Sequence, residues 1–361
     1  MGVDVGGSGL RVQSRYAAGP GPVLTGPGVR VGPDGIDVGA LARDARELLD
    51  GAGVGEPDVV VWGMRGLLFL ADREEVLREV HSVVGGRRTV VASDAVTNLV
   101  GAVGGLRQGA VVAAGTGAVG FGSDFGEHWN RVDGWGHVLG DWGSAARLGL
   151  EGLGAALRWR DGLPGGSAAL LADGEERFGP VDGWPRLVMT SPDAPHLLAA
   201  FAPSVTEAAA HDSVAGRLCA SAGAALGDAL LAAASGLAEP VLVASGGLLA
   251  SRPVRAALDA RLGDAGSRSV PGPGRGARRL APAGSAPAGG GGGAGASGIP
   301  ALHLSDAVRG ATRIAVSGQP ICAADDEGPR GQVPQGPSWW RRMGDLNPRG
   351  FYPNTISNRA H

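Results

Sequence analysis

Residues 111–149 read VVAAGTGAVGFGSDFGEHWNRVDGWGHVLGDWGSAARLG, and the fold is decided here. An apolar strand runs into a Gly-Thr-Gly turn, a second strand follows, and a short charged passage leads to an aromatic-glycine loop. Then comes a Gly-Asp pair and a helix from about Ser144. Gly115 and Gly117 lack the Cβ atoms that keep a backbone away from a ligand, and Thr116 between them adds a hydroxyl. Such a turn suits a phosphate held by peptide N–H groups. Asp141 precedes the helix and brings a carboxylate to the same neighbourhood. The residues alone leave a second reading open, a tight hairpin followed by an N-capped helix.

Three other stretches have the same character. The chain begins MGVDVGGSGLRV, a strand with Asp4, a turn at Gly6, Gly7 and Ser8, and a resumed strand from Leu10. Backbone amides from Gly6 to Ser8 could meet phosphate oxygens while Asp4 holds Mg²⁺ through water. No G-x-G-x-x-G opens a helix, so this is not a dinucleotide fingerprint, and an ordinary hairpin is the alternative. Farther on, Thr89–Ala92 reads as a strand leading to Asp94 at a helix start. There the carboxylate is either a helix cap or a general base facing a cleft beyond the strand ends. Finally, VLVASGGLLAS (241–251) is a strand, a turn at Gly246 and Gly247, and the start of a helix. That turn lets a nucleoside approach the backbone or lets strand and helix pack closely.

Composition narrows the chemistry. All 32 basic residues are arginine, which excludes a Walker A loop, a protein-kinase strand lysine and a Schiff-base lysine. A net charge of −3 argues against a broad nucleic-acid surface. The two cysteines, Cys219 and Cys322, have no zinc or iron–sulfur spacing. With no signal peptide and no run of about 18 apolar residues, the expectation is a soluble cytoplasmic protein.

Helical periodicity is expected over 39–51, 73–84, 96–103, 144–160 and 167–178, with three helical stretches in 195–237 and a buried strand over 59–62. After Gly263 the character changes. Residues 267–298 are rich in Gly, Pro, Ala and Arg and end in a glycine run. From Arg268 onward there are 11 arginines against five acidic residues, the reverse of the acidic excess before it. Three of the chain's five asparagines, Asn347, Asn354 and Asn358, lie in its last fifteen residues. The tail therefore reads as a flexible arm or, in preference, as a read-through or frameshifted end without chemistry.

The segments GVDVGGSG (2–9), ASDA (92–95), AAGTGAVGFG (113–122), GWGHVLGDWGS (134–144) and ASGGLL (244–249) together resemble the sugar-kinase, actin and heat-shock ATPase superfamily. Within it the likeness is to the N-acetylglucosamine kinase branch, the BadF/BadG/BcrA/BcrD ATPase family, over about residues 1–262. The resemblance implies an α/β fold of two ribonuclease-H-like domains with an interdomain ATP-Mg²⁺ cleft. The expected division is 1–105, 106–265 and a disordered tail over 266–361. By the same likeness, Gly6–Ser8 and Gly115–Gly117 are the two phosphate loops, Asp4 faces the metal, and Gly246 and Gly247 form the adenosine-side turn. Asp94 matches the carboxylate that accepts the sugar hydroxyl's proton. Asp141 contacts the sugar, with Gly134, Trp135 and Gly136 lining its pocket. Four departures stand out: Ser8 where Thr is usual, Ala118 for Ser, Val119 for a sugar-binding Asn, and Trp142 for the Glu of GDEGS. The closing segment that returns a helix to the first domain is not recognisable.

The expectation is thus an ATP-dependent kinase acting on a hydroxyl, at O6, of an amino sugar or related hexose. ATP and Mg²⁺ are its cofactors and a small sugar its partner, with a homodimer as a further option and neither nucleic acid nor membrane involved. The alternatives are an ATPase driving a partner protein, whose relatives carry an iron–sulfur cluster that two distant cysteines do not suit, and a non-catalytic nucleotide- or sugar-binding relative. A sugar-responsive regulator lacks a helix-turn-helix segment.

Overall fold

The computed structural model describes residues 1–268 except 7, 8, 29, 33, 34, 65, 66, 68–71 and 192, together with 280–281 and 322–325. Strands β1 (Gly2–Val5), β2 (Leu10–Tyr16) and β3 (Gly19–Gly26) are followed by the two-residue strands β4 (Val31–Gly32) and β5 (Gly35–Ile36). Helix α1 (Val38–Gly51), β6 (Val59–Met64), α2 (Arg73–Val84), β7 (Arg88–Ser93) and α3 (Asp94–Val103) come next. The second half has β8 (Gly109–Ala114), β9 (Ala118–Ser123), β10 (Trp129–Asp133), α4 (Ala145–Arg160), α5 (Ala168–Phe178) and α6 (Trp184–Thr190). It continues with α7 (Ala194–Ala199), α8 (Ala202–Ala208), α9 (Ser213–Ala233), β11 (Val241–Ser245), a 3₁₀ turn (Gly247–Ala250) and α10 (Arg252–Arg268). Two short strands, β12 (Leu280–Ala281) and β13 (Cys322–Asp325), complete the described residues.

These strands form two larger sheets that share one five-strand wiring, with β13 an extra edge strand of the first. The first is ordered β13-β7-β6-β1-β2-β3 and the second β10-β9-β8-β11-β12. In each, three strands meander antiparallel and the chain then re-enters parallel to the first of them, β6 beside β1 and β11 beside β8. Parallel re-entry needs a crossover, supplied by α1 in the first half and by α4–α9 in the second. Sheet-facing residues follow: Val3, Val5, Leu10, Val12 and Trp62 are buried against Leu41, Ala45 and Leu49 of α1 and Val76 and Val80 of α2.

Helix α3 ties the two sheets together. It starts at the end of β7, in the first sheet, but buries Leu99, Val100 and Val103 against Val111, Phe121, Trp129 and Val243 of the second. At Gly63 of β6 a Cβ would collide with the Thr97 side chain of α3, so the glycine lets helix and strand touch. On the opposite face of the second sheet, α4–α10 build the largest core around Leu148, Leu153, Phe201, Val205, Leu226 and Leu230.

Most expected elements are present, and the three helical stretches after 195 are α7, α8 and α9. The stretch at 247–250 is a 3₁₀ turn before α10 rather than the first turn of that helix. Besides the short strands β4, β5, β12 and β13, three elements were not anticipated. β3 is a Gly/Pro-rich edge strand, β10 lay inside the charged passage, and α6 carries a Pro at its start. Of the segment expected as a structureless tail from 266, the first three residues continue α10 to Arg268, β12 pairs with β11 and β13 with β7; the remainder lies outside the described residues. Helix α9 is, among the described residues, long and apolar enough to span a membrane by length and composition. It buries Ala215, Cys219, Ala222, Leu226 and Leu230 in the core, with Gly223 against the Val254 carbonyl of α10. Burial pushes the Cys219 thiol up to about 11, which makes it an inert core residue.

Two glycines of α4 give opposite predictions. A Cβ on Gly149 would run into the Leu198 carbonyl of α7, whereas Gly154 is exposed with nothing nearby. Gly154→Ala is expected to stabilise by roughly 0.5–1 kcal/mol through helix propensity. Gly149→Ala should instead destabilise by about 1–3 kcal/mol through overpacking. Denaturant melts of the two variants decide it, and a stabilised Gly149→Ala would show that α7 does not pack as described.

Candidate active site

The Gly-Thr-Gly turn is fixed to a helix thirty residues away. Gly115 donates its N–H to the Gly117 carbonyl at 2.9 Å, closing the turn between β8 and β9. The Gly115 and Thr116 carbonyls then accept the first amides of α4, from Ala145 at 2.9 Å and Ala146 at 3.1 Å. Ser144 caps the same helix by accepting the Arg147 N–H at 3.0 Å. Beside it, the parallel register sets Ser245 of β11 against Ala113 of β8. Gly246 follows with φ +110°, and a Cβ there would meet the Ala114 backbone. This glycine therefore lets the two strand ends pack closely, a strand-to-strand contact and not the strand–helix packing that was the alternative expected, and it brings Gly246 and Gly247 next to the Gly-Thr-Gly turn.

The first sheet presents a matching edge. Val5 of β1, Met64 of β6 and Ser93 of β7 lie in register, so Gly6 and Asp94 both leave the sheet at the same end. Gly6 donates to the Gly9 carbonyl at 2.9 Å and closes its turn; Gly7 and Ser8 lie outside the described residues. Asp94 is not the helix cap. Ser93 holds the N-cap position, and Asp94, in the first turn, accepts the Ala95 N–H at 2.9 Å. The partial positive charge of the helix start favours an anion at this place.

Electrostatics link the two edges. Asp4 is buried, and desolvation pushes its carboxyl above the usual range. Arg11, at 3.3 Å, opposes that shift and the Asp94 charge adds to it. Across the junction, burial pulls the Arg131 guanidinium down, while Asp133, Asp141 and Asp94 in that order hold it charged. Asp94 thus bears on Asp4 in the first half and on Arg131 in the second, where Asp133 and Asp141 act on the same guanidinium.

Asp133 is the residue that sequence reasoning missed. Its two carboxylate oxygens accept the backbone N–H groups of Asp141 at 2.8 Å and Trp142 at 2.7 Å. Asp141, itself buried, accepts the Gly136 N–H at 3.0 Å, so two carboxylates fold the loop 133–144 onto itself. Asp133 and Asp141 both adopt left-handed backbone, φ 62° and 55°, which Asp tolerates better than most residues and which concentrates at functional sites. Gly134 and Gly136 are left-handed too, and a Cβ on Gly134 would lie 2.7 Å from the Arg131 guanidinium. Arg131 donates to the Gly134 carbonyl at 2.5 Å and stacks on Trp135, 4.9 Å from the ring centroid. An Asp followed by Gly-aromatic-Gly was the available signal for this turn.

No group of three or more His, Cys, Asp or Glu side chains forms a metal cage among the described residues. A site with one or two carboxylates suits Mg²⁺ that keeps waters and shares substrate phosphates, and the buried Asp4 with Asp94 at the same sheet end fits that donor set.

A sequence model of the BadF/BadG/BcrA/BcrD ATPase family matches residues 1–269. The N-acetylmuramic acid/N-acetylglucosamine kinase of Clostridium acetobutylicum is 29% identical over 108 residues, which is 30% of this chain and 35% of that relative. The alignment thus spans about a third of the length of the curated relative. A solved structure designated as an N-acetylglucosamine kinase, from Chromobacterium violaceum, is 26% identical, with a TM-score of 0.57 over 71% of this chain and 89% of its own. A glucokinase of the ROK family from Streptomyces griseus, solved with glucose and AMPPNP, shares the fold at 18% identity, with a TM-score of 0.51 over 85% of this chain and 97% of its own. With the family match covering far more than half of its 361 residues, the chain belongs to the BadF/BadG/BcrA/BcrD ATPase family.

Proposed function

We propose that this protein transfers the γ-phosphoryl group of ATP to a hydroxyl, at O6, of an amino sugar or related hexose. The observation that carries the reading is the place of Asp94: it leaves the first sheet at the same end as the Gly6 turn and bears electrostatically on Asp4 in the first half and on Arg131 in the second. Two ribonuclease-H-like domains divided near residue 105, with ATP in the cleft between them, account for the wiring that the two sheets share. Mg²⁺, when bound, supplies charge neutralisation at the phosphates.

The chain's own residues do the rest. The Gly6–Ser8 and Gly115–Gly117 turns meet phosphate oxygens with the amides other than those of Gly6 and Gly115, which close the turns themselves; Asp4 faces the metal, and Gly246 and Gly247 receive the adenosine side. Asp141 and the Gly134–Gly136 turn hold the sugar. Asp94, oriented by the Ala95 N–H, accepts the proton of the attacking hydroxyl. Phosphoryl transfer asks mainly for positioning and charge stabilisation, and no lysine is required. Family membership and the relatives' designations support a kinase of this class.

The direct test is ADP release with Mg-ATP against glucosamine, N-acetylglucosamine, glucose and related sugars. Release that depends on one sugar establishes the kinase. Release independent of every sugar replaces it with a partner-driving ATPase, and ATP-dependent thermal stabilisation without release replaces it with a non-catalytic binder. Asp94→Asn is expected to lower kcat by about 10²–10⁴-fold while leaving ATP-dependent stabilisation intact; surviving turnover would remove Asp94 from the role of base.

Asp4 gives a prediction with a defined sign. Its carboxyl is raised above 3.8 by burial, so its ionisation costs the folded state stability above that pH, and the cost vanishes below it. Asp4→Asn should therefore raise the melting temperature of the ligand-free protein at pH 7, by on the order of 2 °C. The gain shrinks as pH falls toward 4, and Mg-ATP no longer stabilises the variant. A lower melting temperature at pH 7 would mean that the Arg11 ion pair outweighs burial.

A further inference from the structure

Packing holds both ends of the loop 133–144 and leaves its middle without apolar support. β10 is paired with β9 as far as Asp133, and Ala146, Leu148 and Leu153 of α4 lie in the largest core. Between them Trp135, Val138, Leu139 and Trp142 are all exposed, and Gly134, Gly136 and Gly143 have left-handed backbone. A glycine-rich segment with its apolar side chains in solvent has much conformational freedom to lose on closing. Polar contacts must therefore define its shape. Two are internal: the Gly140 N–H donates to the Gly136 carbonyl at 2.8 Å, and the Gly136 N–H to the Asp141 carboxylate at 3.0 Å. The Asp133 carboxylate ties the far end of the loop back to β10, accepting the N–H groups of Asp141 at 2.8 Å and Trp142 at 2.7 Å. Gly140 bears an independent mark of this contact. A Cβ there would collide with an Asp133 carboxylate oxygen and lie 2.9 Å from the Trp135 Cβ, so the carboxylate is seated against the loop itself.

We propose that Asp133 is a positioning residue: it touches neither sugar nor nucleotide, and it sets the fraction of molecules in which Asp141 stands ready to accept a sugar hydroxyl. This deepens the kinase reading and rests on it for the part that Asp141 plays. A ligand that needs the closed loop loses affinity in proportion to the closed fraction. At saturation the ligand itself keeps the loop closed. Loss of the Asp133 contacts therefore raises the sugar KM and spares kcat, the split that marks a loss of uniform binding. Nucleotide binding is spared because the Gly115–Gly117 turn rests on β8, β9 and α4.

The experiment is calorimetric titration of the full-length protein with glucosamine, N-acetylglucosamine and glucose in turn, and separately with Mg-AMPPNP. Asp133→Gly removes both acceptors at a left-handed position that glycine adopts freely. It is expected to weaken sugar binding about tenfold, the loss expected for one hydrogen bond to a charged group. Asp133→Asn, which keeps one acceptor, falls between Asp133→Gly and the parent protein. Gly140→Ala displaces the carboxylate without removing it and weakens sugar binding too. Combining it with Asp133→Gly adds little, because both break one contact. AMPPNP affinity stays unchanged throughout, which also shows that the variants are folded. With turnover, the sugar KM rises as affinity falls and kcat stays within about twofold.

Unchanged sugar affinity in Asp133→Gly and Asp133→Asn overturns the assignment. So does AMPPNP affinity that falls in step with sugar affinity in the milder Asp133→Asn and Gly140→Ala, the sign of general damage, or a lower kcat at unchanged KM. Weaker sugar binding in the variants, without sugar-dependent ADP release by the parent protein, leaves Asp133 in its role and removes the kinase. Sugar-dependent release with a sugar KM that the Asp133 variants do not move does the reverse. No sugar binding by the parent protein overturns both.

Discussion

The Asp133 carboxylate holds the candidate site together. It sits at the last residue of β10 and grips two amides eight and nine residues farther on, those of Asp141 and Trp142. Charge-assisted hydrogen bonds of this kind are the stronger class, and both oxygens are used. Because Asp133 and Asp141 each hold a left-handed backbone, the loop carries a conformational cost that these bonds must offset. Once the loop is closed, Ser144 is in place to cap α4, and the first amides of α4 reach the carbonyls of the Gly-Thr-Gly turn. One side chain thereby sets the spacing between the proposed sugar-binding loop and the proposed phosphate loop.

The same economy operates between the sheets. Both are wired alike, and in both the glycine turns and acidic residues leave from the ends of parallel strands, where open α/β sheets leave room for ligands. Helix α3 joins them: its first turn carries Asp94 at the edge of the first sheet, and its body is buried on the second. Asn98, midway along, lies 3.4 Å from the Ser245 hydroxyl at the end of β11. A shift of α3 would displace Asp94 relative to both the Asp4 edge and the β11 turn, so packing in this helix and chemistry at its start are not separable.

How far the sequence could be read depended on the range of the interaction. Strands β1, β6, β8 and β11 and helices α1, α2, α4 and α5 were legible because apolar period and caps such as Ser144 and Ser167 are local signals. β10 was hidden because WNRVD has three polar side chains and only two apolar ones, and what makes it a strand is pairing with β9. The same limit hid Asp133 and Arg131, whose partners are backbone atoms and charges brought near only by the closed loop. Asp94 was located correctly at a strand–helix junction, yet its capping alternative failed because Ser93 occupies the N-cap with no side-chain bond of its own. At Gly246 the close neighbour is the Ala114 backbone of β8, a strand-to-strand contact that no local signal reveals.

The absence of lysine gives the site its particular physics. Every cation near the carboxylates is a guanidinium, which forks across two acceptors and lies flat on aromatic rings in ways an ammonium cannot. Arg131 uses both properties, accommodating three carboxylates electrostatically while stacking on Trp135. Arg147 does the same between Glu151 and Trp142. Arginine therefore has two tasks in this loop, offsetting the repulsion among Asp94, Asp133 and Asp141 and fixing exposed indoles that packing leaves unsupported. Replacement by lysine would keep the first and forfeit the second, so the aromatic surface of the loop is a consequence of which cation the chain uses.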